Sequence, residues 1–230
     1  MSEDARAALK RDAAEAAAAL VTDGMAVGLG TGSTAFFAIA ALIRRVGEGL
    51  RITAIPTSER SAAQAREGGI ILTDFGETSS LDLTIDGADA ITRVGLHLVK
   101  GLGGALLREK IVAAASRRLV IVADEGKMVD QLGASTPVPV EVAPFGWQAT
   151  AVRLAGLGAR TELRHAGPGE PFRTDGGNSI LDCHFGLIGD PAELDRRIRD
   201  IVGVVETGLF IGRASEAYIA RSSGVQRLVA

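Results

Sequence analysis

Met25-Ala-Val-Gly-Leu-Gly-Thr-Gly-Ser-Thr34, followed by the helical run of residues 35–46, reads as a buried strand, a glycine turn and a helix. The apolar run has no polar alternation, as expected of a strand covered on both faces. Upstream, residues 1–22 are Ala-rich but carry Glu3, Asp4, Arg6, Lys10, Arg11, Asp12 and Glu15. That is an amphipathic helix stopped at Asp23-Gly24, not a signal peptide. Downstream, Arg51–Ile55 is a strand halted by Pro56, residues 58–67 are helical up to Gly68-Gly69, and Ile70–Leu72 is a short strand. Leu81–Ile85 and Arg118–Ala123 are further strands, a short strand is expected at 96–99, and residues 104–116 form a helix. Strands alternating with helices imply right-handed crossovers. The expected fold class is α/β, a doubly wound, mostly parallel, Rossmann-like sheet.

Around residue 133 the pattern changes. Residues 136–142 are extended, Pro144 is placed to begin a helix over 145–156, and strands fall near 159–164 and 178–183 around a Gly/Pro-rich loop at 167–177. A helix at 191–201 and a strand near 204–207 complete a β-α-β-β-α-β order, the pattern of a smaller inserted α+β ferredoxin-like domain. The expected domains are residues 1–132 plus 209–230 and residues 133–208, with strands near 209–212, 216–219 and 225–229 rejoining the main sheet. Aromatics make up only 4% of the chain against 29 glycines, so the core rests on Ala, Val, Leu and Ile.

A formal charge of -3 and the lack of any Lys/Arg run argue against a nucleic-acid partner. Apolar stretches are too short to span a bilayer, so no membrane is expected. A single cysteine, Cys183, fits a cytoplasmic setting. Cys183 and His184 should face opposite sides of one strand, and Phe145 and Trp147 should pack on the second domain. No Cys/His set has zinc spacing, Gly-x-Ser-x-Gly is absent, and no Ser-His-Asp arrangement stands out.

In open parallel sheets ligands sit at the carboxyl ends of strands. Three turns are expected there. Gly28-Leu-Gly-Thr31-Gly32-Ser33-Thr34 fails the dinucleotide fingerprint, because Ser33 replaces the third glycine and strand 51–55 ends without a carboxylate. Hydroxyls and N–H groups at a helix start suit one phosphate; the alternative is a tight turn capped by Ser33 or Thr34. Asp86-Gly87-Ala88-Asp89 brings two carboxylates together, for sugar hydroxyls, proton transfer or a divalent ion; the alternative is an Asp-Gly turn with Asp89 as a helix cap. Lys100-Gly101-Leu102-Gly103-Gly104 with Glu109 combines a cation, loop N–H groups and a candidate base. Here the alternative is a surface glutamate paired with Arg108 or Lys110, and for Lys127 a surface lysine.

Taken in order, these turns resemble ribose-5-phosphate isomerase of the A type. The resemblance rests on Gly-Thr-Gly-Ser-Thr at 30–34, Asp-Gly-Ala-Asp at 86–89, Lys-Gly-x-Gly with Leu-x-Arg-Glu-Lys at 100–110, and Val-Ala-Asp-x-x-Lys at 122–127. Pro-Val-Glu-Val at 139–142 and Asp-Gly-Gly-Asn at 175–178 extend it over nearly the whole chain. One departure is Leu102, where the family usually has the middle of three glycines. Pro56-Thr-Ser-Glu-Arg60 matches loosely and receives no role.

The resemblance implies interconversion of ribose 5-phosphate and ribulose 5-phosphate through an enediolate, in the non-oxidative pentose phosphate pathway, without a cofactor or metal. It implies Glu109 as the base, Asp86 and Asp89 on substrate hydroxyls and protons, and Lys100 on the enediolate. Thr31, Gly32, Ser33 and Thr34, Gly87 and Ala88, Gly101, Leu102 and Gly103, and Lys127 would line the substrate, with Lys10 near the phosphate. A homodimer or homotetramer is expected. Rival readings are a sugar-phosphate deaminase or lactonase, a sugar-phosphate sensor without turnover, and a metal-dependent enzyme using Asp86, Asp89 and Glu109.

Overall fold

The Met25–Thr34 stretch forms the expected strand and turn in a computed structural model that describes residues 3–230; Met1 and Ser2, at the start of the expected first helix, lie outside the described residues. In chain order come α1 (Glu3–Ala18), β1 (Ala26–Leu29), α2 (Ala35–Gly47), β2 (Thr53–Pro56), α3 (Glu59–Glu67), β3 (Ile71–Leu72), β4 (Leu83–Asp86), β5 (Ala90–Thr92), β6 (Leu98–Val99), α4 (Leu106–Ala114) and β7 (Leu119–Asp124). The chain divides into two units. The first holds residues 1–88, 108–128 and 213–230, and the second residues 89–107 and 129–212.

The first unit is built on a seven-stranded sheet, ordered Gly224–Val229, Glu216–Arg221, β7, β4, β1, β2, β3. Neighbours run parallel except the terminal hairpin of Glu216–Arg221 with Gly224–Val229. Side chains alternate across the sheet. Val27, Leu29, Leu83, Ile85, Val120 and Val122 share one core with Ala13, Ala14 and Ala17 of α1 and Ala38, Ile39 and Leu42 of α2. Ile55 and Leu81 pack instead with Val112 of α4. Alanines let α1 and α2 lie close to the strands, which is how a chain poor in aromatics fills a dense core. Burying one such leucine, Leu42, stabilises by about 1.5–3 kcal/mol.

The second unit contains a four-stranded antiparallel sheet, ordered Arg160–Leu163, Ser179–His184, Val138–Val142, Val204–Thr207. With helices Trp147–Ala155 and Pro191–Arg199 it has the expected ferredoxin-like order. Val138, Val140, Val142, Leu181 and Cys183 point into a core with Leu154 and Ile198. Cys183 is buried and His184 is not, as strand alternation requires. Burial pushes the Cys183 thiol up to about 12. Asp190 caps the second helix by accepting from the N–H groups of Ala192 and Glu193 at 3.1 and 2.9 Å, with Pro191 opening it.

Four local expectations fail. Leu209–Phe210 does not join the main sheet; it pairs antiparallel with β6, which pairs with β5 in a small sheet of the second unit. A two-residue strand carries too little pattern to name its partner. For the same reason β6 is not part of the parallel sheet, so the lysine turn follows an antiparallel hairpin. Pro144 does not begin a helix: Gly146, at φ +73°, stands before Trp147 and redirects the chain first. Phe145, just ahead of that bend, is exposed, while Trp147 does pack against the core. Among the described residues no helix is long and apolar enough to cross a membrane.

Candidate active site

In the first unit the 30–34 turn, the start of the 86–89 turn and the Lys127 segment follow three adjacent strands, β1, β4 and β7. After β1, Gly30 donates its N–H to the Ile85 carbonyl at 2.9 Å, and Thr31 donates its N–H to Asp86 Oδ1 at 3.1 Å. Asp86 Oδ1 also accepts from the Gly87 N–H at 2.7 Å. The fit explains one glycine of the motif: a Cβ on Gly30 would lie 2.2 Å from Asp86 Oδ1 and 2.5 Å from its Cα. A side chain there would displace the carboxylate.

Neither Ser33 nor Thr34 caps α2. Thr34 occupies the cap position without a side-chain hydrogen bond to the helix, and the Ser33 hydroxyl meets Lys10 Nζ at 2.8 Å. A hydroxyl and an ammonium thus stand together at a helix start, an arrangement suited to an anion. Beside them Gly32, Ser33, Phe36, Phe37, Arg60, Ser61 and Gln64 line a cavity of about 340 Å³. The Thr31 hydroxyl lies within hydrogen-bond distance of the hydroxyls of Thr57, Ser58 and Ser61, at 2.7, 2.8 and 3.3 Å. Thr57, Ser58 and Arg60 belong to the segment given no role from sequence, and Ser61 follows it directly. The available signal was its place after β2, next to β1 in the sheet.

Glu109 lies in the first turn of α4 and is 3% exposed. It is no surface residue; its neighbour Arg108 makes an ion pair with Glu59 at 2.7 Å. Burying a carboxylate is costly, so such a position usually serves a purpose beyond packing. Lys127 ends a short 3-10 turn after β7 and is half-buried rather than fully exposed.

The second unit holds Asp89 and the lysine turn. No helix follows Asp89; it leads into β5, and its Oδ2 accepts the Leu102 N–H at 2.9 Å. Asp89 therefore shapes the glycine loop and is not a helix cap. Lys100 is 2% exposed, with Nζ 5.6 Å from the centroid of the Phe210 ring and its N–H donated to the Gly208 carbonyl at 2.9 Å. The loop closes through Gly104 N–H to the Gly101 carbonyl at 3.0 Å. Positive φ occurs at Gly101 (+104°) and Gly104 (+83°), not at Leu102. That accounts for the departure at Leu102: its backbone is ordinary, its N–H still reaches Asp89, and its side chain is 44% exposed.

The two outlying motifs are structural. Glu141 Oε1 accepts from Thr174 Oγ1 and Asn178 Nδ2, each at 2.9 Å, so Pro-Val-Glu-Val anchors the 174–178 turn. Burial raises the Glu141 carboxyl pKa, against hydrogen bonds that include the Leu107 backbone. A small hairpin, His165–Gly167 with Glu170–Pro171, overlaps the start of the 167–177 segment. Among the described residues no group of three or more His, Cys, Asp or Glu is arranged to hold a metal ion.

Comparison with known proteins identifies the family and the overall fold. The family model for ribose 5-phosphate isomerase A (phosphoriboisomerase A) matches residues 53–224. Ribose-5-phosphate isomerase A of Gloeobacter violaceus is 59% identical over 220 residues, covering 96% of this chain and 95% of the relative. The structure of ribose 5-phosphate isomerase A from Methanocaldococcus jannaschii superposes with a TM-score of 0.93 at 37% identity, covering 97% of this chain and 99% of that one. A D-ribose-5-phosphate isomerase in complex with phospho-erythronic acid gives a TM-score of 0.94 at 34% identity, covering 97% and 98%. The strand-end turns, the buried glutamate and the lysine loop thus sit in a chain that belongs to the ribose 5-phosphate isomerase A family.

Proposed function

We propose that Glu109 is the base with which this aldose-ketose isomerase interconverts ribose 5-phosphate and ribulose 5-phosphate. The observation that carries the assignment is its burial, 3% exposed, in the first turn of a helix that follows the lysine-glycine loop. The Glu109 carboxylate takes the proton from C2 of the open-chain aldose. Electrons move into a C1–C2 double bond, and the aldehyde oxygen becomes anionic. The same carboxyl group then returns the proton to C1, leaving the carbonyl at C2. One base suffices because the two carbons are adjacent.

The enediolate needs positive charge and N–H groups aimed at its oxygens. Lys100 supplies the first, and the loop of Gly101, Leu102 and Gly103 the second. Asp86 and Asp89 hold hydroxyls and carry the proton between O2 and O1, and they assist ring opening. Thr31, Gly32, Ser33 and Thr34 receive the phosphate end with Lys10, while Gly87, Ala88 and Lys127 complete the contacts to the sugar. The Lys10–Ser33 contact supports the phosphate placement. Phospho-erythronic acid, the ligand of the related isomerase, is a four-carbon acid phosphate whose planar carboxylate mimics the anionic enediolate. We also infer that the enzyme works in the cytoplasm as a homodimer or homotetramer.

The test is Glu109→Gln. Turnover falls roughly 10²–10⁴-fold, the usual share of a general base, while the affinity for phospho-erythronic acid changes little. Near wild-type turnover removes Glu109 from the role.

A further inference from the structure

We propose that Arg164 is a positioning residue that sets the direction of the N–H groups in the Lys100–Gly104 loop. The inference rests on the reading of that loop as the enediolate cradle.

Arg164 follows the strand Arg160–Leu163 and is itself tightly held. Its Nε donates to Asp182 Oδ2 at 2.9 Å and its Nη2 donates to Asp182 Oδ1, a two-pronged pair across neighbouring strands. Its guanidinium also lies over the Phe172 ring, 5.9 Å from the centroid. A plane fixed in this way has little freedom left. The remaining nitrogen, Nη1, donates to the carbonyl oxygens of Gly101 at 2.8 Å and Leu102 at 3.1 Å.

Those two bonds have a consequence across each peptide. A trans peptide is planar, with C=O and N–H pointing in opposite directions. In the Gly101–Leu102 peptide the carbonyl goes to Arg164 and the N–H goes to Asp89 Oδ2 at 2.9 Å, so both ends are pinned. In the Leu102–Gly103 peptide the carbonyl goes to the same Nη1, so the Gly103 N–H is turned away from Arg164. No described residue offers that N–H an acceptor. An N–H with a fixed direction and no protein acceptor is what a developing oxyanion requires. A full positive charge on the carbonyl also polarises the peptide and strengthens its N–H as a donor. Lysine cannot substitute, because it lacks the planar fork that reaches Asp182 and two carbonyls together.

The test measures kcat, KM and inhibition by phospho-erythronic acid for Arg164→Lys, Arg164→Ala and Asp182→Asn. Arg164→Lys is expected to lower kcat about 10–100-fold, less than loss of a whole oxyanion donor, with KM for ribose 5-phosphate within about threefold. Its inhibition constant for phospho-erythronic acid should rise in step with the fall in kcat. Asp182→Asn keeps the arginine but loosens its clamp, and should show a smaller change in the same direction even where Arg164→Ala fails to fold. A wild-type kcat in Arg164→Lys and Asp182→Asn, or a fall in thermal stability with kcat and inhibitor affinity unmoved, overturns the positioning role. Lys100→Ala in the same assays separates the two ideas. If it is impaired while Arg164→Lys is not, only the arginine's role is lost; if Lys100→Ala turns over like wild type, the cradle reading and this inference fall together.

Discussion

Replacing Gly104 by alanine tests the loop that the proposed chemistry depends on. Gly104 sits at φ +83°, and a Cβ there would lie 2.4 Å from Phe172 Cζ and 2.7 Å from Cε1. Holding an L-residue in that backbone region costs about 1–2 kcal/mol. Moving the half-buried Phe172 ring adds about 1–2 kcal/mol. The total, about 2–4 kcal/mol, lowers the melting midpoint of a chain this size by about 4–16 °C. The effect reaches catalysis because the Phe172 ring supports the Arg164 guanidinium, which holds the carbonyls of Gly101 and Leu102. Leu102→Gly is the matched control. Leu102 is not at positive φ and its side chain is 44% exposed, so restoring a glycine costs only about 0.5–1 kcal/mol of backbone entropy. Calorimetry and steady-state isomerase kinetics on both variants read the contrast: Gly104→Ala loses stability and turnover, and Leu102→Gly keeps kcat near wild type. A Gly104→Ala protein that melts within a degree of wild type with unchanged kcat refutes the loop conformation, and so does a Leu102→Gly protein harmed more than Gly104→Ala.

Ser33→Ala with Thr34→Ala should raise KM for ribose 5-phosphate roughly 10–100-fold with little change in kcat, the worth of one or two hydrogen bonds to a charged group; an unchanged KM places the phosphate elsewhere. Glu216 is buried between Arg118 and Arg227. Burial pushes its carboxyl up, but the hydrogen bonds and charges of the two guanidiniums outweigh this and hold it below the reference value of 4.5. A depressed carboxylate stabilises above its unfolded pKa and stops doing so as pH falls through the folded one. The melting-point advantage of wild type over Glu216→Gln should therefore be full at neutral pH and shrink in acid below 4.5; an advantage that grows on acidification contradicts the assignment. Cys183, its thiol pushed up to about 12, should resist thiol reagents at pH 8 in the folded protein and react once the chain is unfolded in denaturant.

The sequence alone determined the sheet of the first unit and the main sheet of the second, because both are written in local pattern. Met25–Gly30, Leu81–Ile85 and Arg118–Ala123 are apolar runs flanked by glycine turns or helices, and burial on both faces forces such runs into a covered parallel sheet. The β-α-β-β-α-β order after residue 137 is legible for the same reason. The candidate turns were legible because glycine spacing and residue chemistry are local as well. Other features depend on partners far along the chain. The pairing of Leu209–Phe210 with Leu98–Val99 is one; the exposed Phe145 is a different case, where the local bend at Gly146 overrode a helix signal. The burial of Glu109, the contact of Lys10 with Ser33 across 23 residues, and the grip of Arg164 on carbonyls 62 and 63 residues away likewise come from the tertiary structure. Local sequence sets which backbone shapes are cheap; only the folded chain sets which distant atoms meet, because those contacts form when the whole core closes and their entropy cost is offset together.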